Sequence, residues 1–159
     1  MITRPDSGPP RRPVARRGFG RISVGVYGRV MMSVAEGPFD ADLMAAARRA
    51  IALAGKRLPP DHRYGDLLEI RGNLRMDADA LDQLRASIDS FASRGLVAIS
   101  TVFLVRADIP GIERLPALMD IWRASRPVRR ADRFETAWAW VNADLMAAGL
   151  PPQAPPPRP

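Results

Sequence analysis

Apolar residues alternate with small or polar ones at Ile22, Val24 and Val26, break at Tyr27-Gly28, and resume from Val30 to Ala35. A period of two with a glycine break predicts two strands joined by a tight turn. The following PFDADLMAAARRAIALAGK shifts to a helical period. Leu43, Ala46, Ala47, Ala50 and Leu53 form the expected buried stripe, Asp40 the N-cap and Gly55 the left-handed C-terminal residue. LPPDHRYG reads as a loop and DLLEIRG as a short strand. Asp77 then caps a second helix, in which Leu81, Leu84, Ile88 and Phe91 recur on one face until Gly95 ends it. LVAISTVFLVRAD is β-branched and apolar almost throughout, as a strand covered on both faces should be. Pro110-Gly111 opens a connection, and Pro116 fits only the first turn of the helix carrying Leu118, Ile121 and Trp122. A brief strand at Val128 to Ala131 leads into a last helix, from Phe134 or Glu135 to about Ala147.

Strands alternating with helices imply parallel pairs joined by crossovers. The opening hairpin makes the sheet mixed. The expected fold is therefore α/β: one mixed sheet, an N-terminal β-hairpin and about four helices. Ten of the 16 prolines lie outside this pattern, in residues 1–18 and 151–159. The first of these segments has almost no large apolar residue to offset its ordering entropy, so it reads as a disordered tail. The second reads as an extended, disordered Pro-rich tail without core contacts. The α/β domain is thus expected to span 19–150.

Charge changes this picture less than the total of +7 suggests. Residues 1–18 contribute +4 and residues 151–159 contribute +1, leaving +2 for the domain. A strongly basic folded surface for DNA is not what this distribution predicts. Lys56 is the one lysine among 24 basic residues, a bias that fits the codon usage of a GC-rich bacterial genome. Cysteine is absent, which excludes disulfides, thiolate metal sites and a cysteine nucleophile, and fits a reducing compartment. No run of about 18 apolar residues is present to span a membrane. No apolar h-region follows the N-terminal arginines. A cytoplasmic location is expected.

Candidate chemistry is sparse. His62 is the only histidine, in a Pro-Pro-Asp-His-Arg-Tyr loop with no serine or second ligand of recognisable spacing nearby. Gly18, Gly20 and Gly25 precede a strand instead of linking strand to helix, so they fail the context of a dinucleotide loop. No Walker-type Gly-Lys-Ser/Thr occurs. No catalytic constellation, metal site or cofactor is expected. In the last helix Phe134, Trp138, Val141 and Leu145 share one stripe, whereas Trp140 lies about 200° round from Trp138. Two roles are open for the pair: both close the core, or Trp140 lines a groove with Trp122.

RVMMSVAEGPFD, DLLEIRGNLRMDADAL and RRADRFETAWAWV, in this order, resemble the STAS family, in its SpoIIAA-like branch, which is compared in turn with CRAL-TRIO lipid-binding domains. In the last piece, Phe134, Ala137, Trp140 and Val141 match that branch's closing helix, and the likeness covers about residues 20–145. The resemblance implies a non-enzymatic binding or regulatory domain that takes a protein partner or a small apolar ligand. It places the polar side of the site at Asn73, Arg75, Asp77 and Asp79, and the apolar side at Trp122 and Trp140. Anti-sigma-factor antagonists carry a phosphorylatable hydroxyl at the start of this helix. Here the corner reads Arg75-Met76-Asp77-Ala78-Asp79, with no hydroxyl, and Ser87 and Ser90 lie too far along the helix. Asp77 and Asp79 instead place fixed negative charge there. An exposed edge of the opening hairpin could pair with a second copy, giving a homodimer. The rival reading is nucleic-acid association through Arg11, Arg12, Arg16 and Arg17, with salt-dependent attraction to phosphates.

Overall fold

In the computed structural model, which describes residues 20–157, the chain opens with strands β1 (Arg21–Tyr27) and β2 (Val30–Glu36), paired antiparallel. Gly28, at φ 61°, makes the turn between them. Helix α1 (Ala41–Gly55), strand β3 (Arg63–Arg71), helix α2 (Ala78–Ser93) and strand β4 (Val97–Val105) follow. A short 3₁₀ turn at Ile112–Arg114 leads into α3 (Leu115–Arg123), β5 (Val128–Ala131) and α4 (Phe134–Ala147). The five strands lie in sequence order, with β2 to β5 parallel. This is the mixed α/β sheet that the hydrophobic pattern predicts, with its opening hairpin and four helices.

The three parallel crossovers step in one direction across the sheet, and a common hand places α1, α2 and α3 on one face. Along β4, Phe103 and Val105 enter the core under these helices, together with Ile70, Leu115 and Trp122. Val102 and Leu104 point the other way, into a core closed by Ala137, Trp138, Val141 and Leu145 of α4. A third cluster, built on Met31, Ala54, Leu58 and Tyr64, fills the end of the sheet near the start of β3. Covering both faces explains why β4 is buried continuously from Ser100 to Val105.

Both predicted aspartate caps form. Asp40 Oδ1 accepts from the Leu43 N–H at 2.8 Å, and Asp77 Oδ1 accepts from the Ala80 N–H at 2.7 Å. Asp77→Ala is expected to lower stability by about 1 kcal/mol, read as a shift of the urea midpoint without a change in slope. Pro116 lies in the first turn of α3, where its missing N–H costs nothing.

Several details differ from the expected pattern. Gly55 is a helical residue packed against Leu96, and α1 ends through Lys56 in ordinary right-handed geometry. Leu53 is 64% exposed. The buried side of α1 instead runs through Leu43, Met44, Ala47 and Ala54, a stripe rotated from the predicted one by the extra apolar residues around it. β3 begins three residues before DLLEIRG, because Asp61 Oδ1 accepts from the Arg63 N–H and turns the loop into the strand.

The Pro-rich end departs most. Its composition predicts no core contacts, yet Gln153 joins the body at four points. Its carbonyl accepts from Trp138 Nε1 at 3.0 Å and from Asn142 Nδ2 at 2.9 Å. Its own N–H donates to Asn142 Oδ1 at 2.7 Å, and its side-chain Oε1 accepts from the Arg29 N–H at 3.1 Å. A glutamine among prolines supplies both halves of an amide pair, and that satisfies the buried indole. The N-terminal tail, with Phe19, lies outside the described residues. Among the described residues, no helix is long and apolar enough to cross a membrane.

Candidate functional site

β3 alternates Tyr64, Asp66, Leu68 and Ile70 toward α1–α3, and Gly65, Leu67 and Glu69 toward α4. Asp66 therefore projects from the middle of a buried parallel strand into a mostly apolar layer. Its neighbours in register are Met31 on β2 and Thr101 on β4. The Thr101 hydroxyl donates to Asp66 Oδ2 at 2.9 Å, and Arg126, just after α3, brings Nη1 to 3.9 Å from the same oxygen. Both ion-pair side chains are nearly buried, at 11% and 13% exposure for Arg126 and Asp66.

Above this floor lies a cavity of about 100 Å³. β2 and β3 give it Ser33, Asp66 and Leu68, α1 gives Ala47 and Arg48, α2 gives Leu84 and Phe91, and α3 gives Trp122. Its walls are mostly hydrocarbon, aromatic ring and thioether, the usual surroundings of a small-molecule site with a few convergent polar groups. On the α1–α2 side, Arg48 Nε donates to Ser87 Oγ at 3.0 Å, and that hydroxyl donates to the Gln83 carbonyl at 2.7 Å.

Electrostatics mark the floor as unusual. Burial pushes the Asp66 carboxyl above its ordinary value, and the Arg126 charge and the Thr101 hydrogen bond only partly offset this. Burial likewise raises the Tyr64 phenol, with the Asp66 charge adding to it. A shifted carboxylate at the bottom of a cavity is the kind of feature that accompanies binding sites.

The predicted site residues divide into three places. Asn73, Arg75, Asp77 and Asp79 do form one corner, after the carboxyl end of β3. Asn73 Oδ1 accepts from the Arg75 N–H at 3.0 Å, Asp77 caps α2, and Asp79 is exposed. The Arg75 carbonyl accepts from the Phe39 N–H at 2.7 Å, and Met76 beside it lines the cavity, so the corner touches the site at one point. Trp122 lines the same cavity and meets Phe103 edge-on at 5.0 Å. Trp140 does not join it. It sits on the opposite face of the sheet, half-buried against the α4 core, with the Arg129 guanidinium 5.0 Å above its ring. Arg129 is held there by Asp144 Oδ2 at 2.6 Å. The groove shared by Trp122 and Trp140 is thus not formed, because α3 and α4 pack on different faces. Arg11, Arg12, Arg16 and Arg17 lie outside the described residues.

Comparison with protein-family models and with curated proteins finds no match for this chain. His62 lies in a loop at φ 54°, and its carbonyl accepts from the Val97 N–H. Among the described residues, no group of three or more histidine, cysteine or acidic side chains is placed to hold a metal ion. A second cleft, of about 310 Å³, opens at the carboxyl ends of β3 and β4. Of its charges, Arg71 is tied to Glu69 at 2.8 Å and Arg106 to Asp108 at 2.9 Å.

Sequence reasoning missed Asp66, Tyr64, Thr101, Arg48 and Arg126. A signal existed for the first. A carboxylate at an inward position of a parallel strand covered on both faces breaks the near-continuous apolar run such strands carry. Arg48 and Arg126 carried none, since arginines on helices and in loops are usually solvated.

Proposed function

We propose that this chain is a non-enzymatic binding domain of STAS type, which takes a small, mostly apolar ligand between its sheet and α1–α3. The observation that carries this reading is the cavity itself, apolar over most of its wall and floored by Asp66 and Arg126, with Thr101 bonded to Asp66 beneath. A ligand packed against such a wall gains dispersion contacts over much of its surface. The mixed sheet and its opening hairpin are of the kind the resemblance implies. Met76 belongs both to the cavity wall and to the corner of residues 73–79, which would meet a protein partner.

Ethylbenzene, neutral and apolar, tests the cavity directly. Added to ¹⁵N-labelled protein, it is expected to shift amide signals of α2, α3 and β3 while leaving α4 unmoved. Ala47→Phe, which places a ring in the same space, is expected to abolish those shifts. Shifts in α4, or none anywhere, would sink the reading.

A further inference from the structure

The charges around the cavity are unbalanced. Two guanidinium groups, Arg48 and Arg126, line it against one carboxylate, Asp66. A cationic ligand would meet two like charges in a poorly solvated space, where such repulsion is strong. Arg48 is already engaged by Ser87 Oγ at 3.0 Å and by the Gln83 carbonyl at 3.5 Å. Arg126 faces the same space with the Tyr64 phenol as a hydrogen-bond partner and Asp66 beside it. Its approach to Asp66, at 3.9 Å, is longer than a hydrogen bond, and its Nε makes only a 3.3 Å bond to Ser125 Oγ. A guanidinium has five N–H donors, and this one, with its carboxylate partner beyond hydrogen-bond length, keeps a planar fork toward the cavity that a carboxylate matches in two parallel bonds.

Size limits the rest of the molecule. An apolar protein cavity of about 150 Å³ takes a benzene ring. The cavity here, at about 100 Å³, is a third smaller, so a ring enters only as the walls adjust and a long acyl chain does not fit. Met31, Met44 and Met76 in its wall can adjust to a ring or to a branched chain. We propose that the occupant is a small monocarboxylic acid, whose ring-sized apolar body fills the space between α2 and the sheet and whose carboxylate is held by the Arg126 fork. This rests on the binding reading above and adds the ligand's charge, head group and size.

Three probes of nearly equal shape decide it: phenylacetate, ethylbenzene and phenethylamine, each titrated into the full-length protein and followed by amide shifts in α2 and α3. Phenylacetate is expected to bind about tenfold or more tighter than ethylbenzene, with phenethylamine weakest. In the double variant Asp66→Asn/Arg126→Gln, which removes both members of the Asp66–Arg126 pair together, that advantage should fall to about twofold or less while ethylbenzene binds as before. Equal affinity for phenylacetate and ethylbenzene in the unaltered protein overturns the inference but leaves the cavity as a binding site. Phenethylamine as the tightest probe also overturns it, and makes Asp66 the receptor. If none of the three binds, the binding reading fails and this inference with it. The ranking in the unaltered protein stands even if the double variant does not fold.

Discussion

Phe103→Ala is expected to lower stability by about 3–5 kcal/mol, the range for truncating a buried aromatic ring. Phe103 is fully buried on β4, where strands on both sides and α3 above fix its surroundings. Its ring meets Trp122 edge-on at 5.0 Å, so the substitution removes an aromatic pair as well as transferred area. A parallel strand held by two neighbours cannot collapse into the void, and the cost of a cavity grows with how little its walls can move. Urea unfolding followed by near-ultraviolet circular dichroism measures both the loss and the altered environment of Trp122. The contrasting control is Leu53→Ala, at a residue 64% exposed, which should change stability by about 0.5 kcal/mol or less.

The second large effect concerns charge. Arg126→Met leaves the Asp66 carboxylate buried without its cation, a change expected to cost about 3 kcal/mol at neutral pH. The figure is set at the lower end of the range for buried pairs because the contact is long, at 3.9 Å. The sign of its pH dependence follows from burial. Asp66 already sits above its ordinary value of 3.8 when folded, and removing the cation raises it further. A group with a raised folded-state value favours the folded state when protonated. The variant should therefore recover stability relative to the parent as pH falls through the raised value toward about 4, and no further below it. Unfolding free energies at pH 7, 6, 5 and 4 check this. A deficit independent of pH would mean that lost packing, not the stranded carboxylate, is the cause.

Much of this fold was legible in the chain. Period-two alternation in β1 and β2, the aspartate caps of α1 and α2, the proline in the first turn of α3 and the apolar run of β4 are local signals, and each element lies where its signal put it. Which face a helix takes is not local. Trp122 and Trp140 look equivalent in sequence, both aromatic and both on late helices. The crossover from β4 to β5 puts one on the cavity side, and the end of the sheet order puts the other behind it. The site suffered the same blindness. Tyr64, Asp66, Thr101 and Arg126 come from three separate elements, and only strand register makes a cluster of them. The corner at residues 73–77 was visible because its residues are nearly consecutive and bond to each other.

The clasp made by Gln153 bears on the order in which the molecule assembles. Its bond to the Arg29 N–H spans 124 residues of chain, whereas its bonds to Trp138 and Asn142 span 15 and 11. Closing so long a loop costs entropy that only an already formed hairpin and α4 can offset. The clasp is thus expected to be absent from the transition state for folding. Weakening it by Gln153→Ala should leave the folding rate nearly unchanged and speed unfolding instead. Pro151 and Pro152 just before Gln153 shorten the search, because a stiff segment approaches Trp138 with fewer conformations to lose.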